Sequence, residues 1–190
     1  MVVIVAILVS LFIWGYPPSH LNYILGLLVL TYFGLVTVID LEHRLVLRSV
    51  SIVGAVLGLL VGTWAHEIIP TLLGGLAGLA IMGFLYLIGS LFASYRAKKL
   101  GKDDGEEALG FGDVILAGIL GLMLGWPNIW FGLLLGILAG GIISLIVIVY
   151  LVVTKKYNTM SSFIAYGPYL VLGATLVMFV LVPARDFIVK

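Results

Sequence analysis

The sequence predicts an all-α, polytopic membrane protein with about seven transmembrane helices in one bundle. Three observations predict it. Hydrophobic residues make up 63% of the chain and charged residues 10%, whereas a soluble domain needs about 25% charged residues to cover its surface. Mean hydropathy is +1.27, the opposite of the low-hydropathy, high-charge composition that keeps chains disordered. Seven apolar stretches, at 2–16, 21–39, 49–66, 69–95, 113–126, 128–154 and 167–183, reach or approach the length that crosses a hydrocarbon core, about 20 residues.

Each stretch has its own justification. The first, 2–16, is short and lacks both a basic leading segment and a small-residue cleavage site, so it reads as a retained span and not a signal peptide. The second ends at Asp40. The fifth, 113–126, is also short and would cross with help from its neighbours or a thinned bilayer. Pro17-Pro18, Pro70, Pro127-Asn128 and Gly167-Pro168 fall at proposed helix ends, where turn chemistry belongs. The whole of 1–190 reads as a single transmembrane domain, with 96–109 as a charged loop within it.

Lys and Arg set the orientation. Arg44, Arg48, Arg96, Lys98, Lys99, Lys102, Lys155 and Lys156 share one set of loops, eight of the ten basic residues. That side is read as cytoplasmic. Arg185 and Lys190 lie in the tail on the other side, so the N-terminus is inside and the C-terminus outside. The chain has no cysteine and a net charge of +1. The first fact excludes disulfides, a thiolate nucleophile and a cysteine-based metal site. The second gives no sign of nucleic-acid binding. Glycines recur at helical spacing in Gly54, Gly58, Gly62, in Gly74, Gly78, in Gly121, Gly125 and in Gly132, Gly136, Gly140. Such rows let membrane helices approach closely. They read as packing within the bundle, with a dimer face as the alternative, so the oligomeric state stays open.

The acidic residues sort by depth. Glu67, beside His66, and Asp186 fall on the outer side. Asp103, Asp104, Glu106 and Glu107 share a loop with Lys98, Lys99 and Lys102, and a mixed run of this kind is a solvated loop. Glu42, His43 and Arg44 read as solvated loop residues, with the alternative that His43, three residues after Asp40, interacts with it if the helix continues. Asp40 and Asp113 remain. The first closes the second span and the second opens the fifth, both at the cytoplasmic edge. An ionisable group kept at membrane depth is a functional candidate. The alternative is a carboxylate that snorkels to water or, for Asp113, favours its own helix N-terminus.

Two carboxylates within hydrogen-bonding reach titrate as a unit, one holding a proton while the other is charged. The charged one takes a proton from water and the protonated one polarises a carbonyl, the division of labour in aspartic proteases. Asp40 and Asp113 are 73 positions apart, and only a fold can pair them. Gly110 and Gly112 lack a Cβ, so an extended backbone can lie close beside Asp113, in the manner of strand addition.

Gly110-Phe111-Gly112-Asp113-Val114, followed by Leu116, resembles the GxGD signature of type IV prepilin peptidases, which are intramembrane aspartic proteases. Ile39-Asp40-Leu41-Glu42-His43-Arg44 resembles the first aspartate motif of that family. Ala165-Tyr166-Gly167-Pro168-Tyr169-Leu170-Val171-Leu172-Gly173 is similar to its late Gly-Pro segment. The three stand in the family's order. The resemblance implies that Asp40 and Asp113 are the catalytic pair, with water as nucleophile and no metal or other cofactor. It implies a substrate that is a prepilin or pseudopilin-like membrane peptide, cut after a basic leader at the cytoplasmic membrane edge. Gly110 and Gly112 would line the substrate.

Three departures accompany it. Val46-Leu47-Arg48 stands where many relatives have a proline turn, and Ile115 stands where a lysine is common. No cysteine-bearing methyltransferase domain separates the first two proposed spans, so a peptidase-only form is expected. Two other classes stay open on the sequence: a small proton- or cation-coupled carrier using the same acids, and a non-catalytic relative that binds pilin-like helices. Carrier sites normally sit at the midplane and not at one edge.

Overall fold

The computed structural model describes residues 22–43, 47–100, 110–154 and 166–182. The proposed first span lies outside them. Among the described residues every element is helical. In chain order they are α1 (Tyr23–His43), α2 (Arg48–His66), α3 (Ile68–Leu100), α4 (Phe111–Leu124), α5 (Asn128–Val153) and α6 (Gly167–Leu176), the last prolonged by a π-helical turn, Val177–Leu181. α1, α2, α3 and α5 are long and apolar enough to cross a membrane, while α4 and α6 are shorter apolar helices. The fold class expected from composition is therefore the one observed, a polytopic helical membrane protein.

Helix ends follow local chemistry. Leu47, in extended conformation, starts α2 without a proline, and its carbonyl accepts the Ser51 N–H at 3.0 Å. Pro70 lies in the first turn of α3, where a missing N–H costs nothing. α3 runs on through 96–100, five residues into the stretch expected to be loop, because Arg96-Ala97-Lys98-Lys99-Leu100 contains good helix formers. Gly125, at φ +67°, stops α4. A side chain there would be strained by that φ and would also meet the His66 ring at 3.0 Å.

The chain divides into two compact units. One holds Met1–Arg44 with Trp130–Lys190, the other Leu45–Ile129. In the second unit α4 packs against both α2 and α3. Its 14 residues would span about 21 Å, and ten of them are buried. Hydrophobic burial does not pull helices together in lipid, so close backbone approach has to. A Cβ on Gly74 of α3 would collide with the Gly121 carbonyl of α4, and one on Gly121 would collide with the Gly74 carbonyl. The glycine rows thus serve packing inside the chain.

In the first unit α6 takes the corresponding place. It packs against α1, and Gly173 meets the backbone of α5 at Gly132 and Gly136. Each unit therefore contains one short helix held between two long ones. The outward faces carry large apolar side chains such as Leu28, Leu60, Leu76, Phe92 and Ile146, as lipid-facing helices require.

Candidate active site

Asp40 stands on the buried stripe of α1. Val29, Phe33, Val36 and Asp40 fall at helical spacing, and all four are buried. Ile24, Leu28, Leu35 and Val38 take the exposed side. The pattern that buries the apolar face thus carries the carboxylate inward. Asp40 is only 6% exposed.

Its partner comes from 127 residues downstream. The Gly167 N–H donates to Asp40 Oδ2 at 3.0 Å, and the bond is buried. Gly167 opens α6. A helix leaves its first N–H groups without intrahelical partners, and here each is accounted for. Gly167 gives its N–H to Asp40. Pro168 has none. Tyr169 and Leu170 both donate to the Tyr166 carbonyl, at 3.1 and 3.4 Å. A carboxylate is well matched to the positive end of a helix. It is poorly matched to the negative end of its own helix, where Asp40 sits, and α6 offsets that cost.

Tyr166, just before α6, is seated on α5. A Cβ on Gly140 would come within 2.9 Å of its ring, and its hydroxyl donates to the Ile137 carbonyl at 3.3 Å. Its ring also meets Tyr169 edge-on at 6.4 Å. Tyr166 is thus a packing residue of the first unit.

Asp113 belongs to the second unit and sits in the first turn of α4, where an acid favours the helix N-terminus. It is 9% exposed. Its N–H donates to the Gly110 carbonyl at 3.0 Å. Phe111 meets Tyr86 of α3 edge-on at 5.8 Å, which fixes the start of α4 on α3. Gly110 is exposed, with φ −75° and ψ 141°, an extended conformation open to any residue. A Cβ there would lie 3.6 Å from Asp113 Oδ2, an ordinary contact. Neither backbone conformation nor packing against the described residues demands glycine at 110. Gly112, half-buried, lies inside the first turn of α4.

Asp40 and Asp113 are the only buried charged residues among those described. Glu42 and Glu67 are exposed. The acidic run Asp103–Glu107, Arg44 and the basic pair Lys155-Lys156 lie outside the described residues, as does the side chain of His43. No group of three or more His, Asp or Glu placed to hold a metal occurs among the described residues.

The sequence model of the type IV leader peptidase family matches residues 27–145. The chain belongs to that family. The match runs from within α1 to within α5 and takes in Asp40, Gly110, Gly112 and Asp113. Neither the curated proteins nor the solved structures contain a match. Membership makes the chain a membrane-embedded, type IV leader peptidase-like protease, in keeping with a peptidase-only form. The Gly-Pro segment lies beyond the matched residues, and its contact with Asp40 is a backbone bond that no side-chain motif announces. A glycine before a proline at a helix start was the available sign. The residue before proline is normally driven out of the helical region by its Cβ, and glycine has none.

Proposed function

We propose that this leader peptidase is an aspartic endopeptidase of the GxGD type, with Asp40 and Asp113 as its catalytic pair. It removes basic leaders from type IV prepilin or pseudopilin-like substrates. One observation carries the reading: the only charged side chains buried among the described residues are two aspartates, both inside the family match. Burying a carboxylate is costly unless it has a use or a partner.

The chemistry needs only the pair and a water. The ionised carboxylate takes a proton from water as its oxygen bonds to the scissile carbonyl carbon. The protonated carboxyl gives its proton to the carbonyl oxygen, forming a neutral gem-diol. The first carboxyl then passes its proton to the amide nitrogen, the C–N bond breaks, and a diol hydroxyl proton returns to the second. One water is consumed and the pair is restored. No metal or other cofactor enters this scheme. The excess of basic residues in one set of loops supports a cut at the cytoplasmic edge of a cell inner or cytoplasmic membrane. An extended substrate backbone runs along Gly110 and Gly112, and the exposed, extended Gly110 supports that path.

The test is cleavage of a pilin-like peptide carrying a basic leader, a glycine and an apolar helix by purified protein in lipid. Wild type should cut it, and Asp40→Asn and Asp113→Asn should each lose at least about a hundredfold in rate, the size of a general acid or base contribution. Cleavage that survives either change would break the two-aspartate mechanism. Tracer movement across liposomes without cleavage would point instead to a carrier. Binding of the peptide without either activity would point to a non-catalytic relative.

A further inference from the structure

The Gly167 N–H on Asp40 is a feature that the two-aspartate scheme does not use. Several observations make it more than a helix end finding an acceptor. The bond is buried and joins residues 127 positions apart. No other first-turn donor of α6 competes for the carboxylate, since Pro168 removes one and the Tyr166 carbonyl takes two. Tyr166 makes no side-chain cap. Its ring is instead locked over Gly140, which fixes where Gly167 stands. Gly167 can remain helical before Pro168 because it has no Cβ to clash with the proline ring.

We propose that the peptide N–H of Gly167 is a positioning group for Asp40, holding Oδ2 so that Oδ1 is the oxygen that works on the water and the second acid. This rests on the aspartic-peptidase reading above. A carboxylate on a single χ2 bond rotates easily, because that torsion is broad. A catalytic acid must instead be held to within a fraction of an ångström, since small misplacements cost orders of magnitude in rate. One fixed donor on one oxygen removes that rotation. Gly167 touches neither substrate nor water in this scheme and acts through Asp40.

Two measurements test it in the full chain in lipid nanodiscs. The first replaces Gly167 by glycolate during cell-free synthesis, which exchanges the Tyr166–Gly167 amide for an ester and removes the N–H. It also weakens the Tyr166 carbonyl that accepts from Tyr169 and Leu170, so a change in the pH profile, and not in stability, is the deciding readout. A hydrogen bond to a charged group of ordinary strength predicts a fall in kcat of roughly tenfold to a hundredfold. KM should stay within about twofold, because an interaction made through the catalytic acid lowers kcat and kcat/KM together. The pH–rate profile should also move, because the N–H interacts unequally with the two protonation states of the acid. A structural role alone would leave the profile in place. The second follows the Gly167 amide in glycine-labelled protein by NMR. Its shift should change with pH in wild type and cease to do so in Asp40→Asn.

An amide shift that ignores both pH and Asp40→Asn would overturn the contact itself. An ester variant with wild-type kcat and pH profile would overturn the positioning role. Failure of the wild type to cleave would overturn the peptidase reading and the catalytic part of this one, while the amide shift would still decide the contact.

Discussion

Asparagine at position 40 keeps an oxygen that can accept the Gly167 N–H, yet it can neither take nor give the proton that hydrolysis needs. Asp40→Asn is therefore expected to fold as wild type while losing activity. Asp40→Ala removes the acceptor and strands a buried donor, at about 1–3 kcal/mol. The two variants separate the roles of one carboxylate, with thermal unfolding in detergent reading the first and initial cleavage rates the second. Gly110 calls for the converse experiment. Its extended backbone suits any residue and its position is exposed, so Gly110→Val should leave stability within about 0.5 kcal/mol. If a substrate strand runs beside Asp113, the same change should raise KM roughly tenfold, the scale of a misfit in a binding site. An unchanged KM would remove Gly110 from the substrate path.

At the scale of elements, the two short helices repeat one arrangement. α4 and α6 are each held between two long helices by glycines, and each has an aspartate at its N-terminal turn, Asp113 on α4 itself and Asp40 brought from α1. Glycine position decides what a substitution does. Gly74→Leu drives a side chain into the Gly121 carbonyl and the Gly125 backbone, atoms that cannot rotate away. It should cost at least about 1–3 kcal/mol, the usual range for overpacking. Gly141→Leu adds its Cβ where no atom of the described residues lies within 4 Å, and should be neutral or slightly stabilising through helix propensity. Unfolding temperatures of both variants in one detergent check the contrast. The glycine rows were legible in the sequence as close-approach faces. Whether they faced inward or toward a second copy was not, because spacing carries no information about the partner.

For the whole molecule, a proton-sharing pair implies a bell-shaped pH–rate curve, with two apparent pKa values that belong to the pair. Rates measured across pH 5 to 9 should show a maximum with a fall on at least one side, and a flat profile would count against the mechanism. The sequence by itself determined the fold class and the two acids. A chain with 63% hydrophobic and 10% charged residues must lie in a membrane, and within a membrane each carboxylate is conspicuous because its cost is high. Tertiary structure alone decided that α4 and α6 are held between longer helices, that Tyr166 packs on α5, and that Asp40 is held by Gly167. Those facts rest on backbone donors and on contacts between residues far apart in the chain. A peptide N–H is present at every residue except proline, so no composition or spacing marks the one that a buried carboxylate will use.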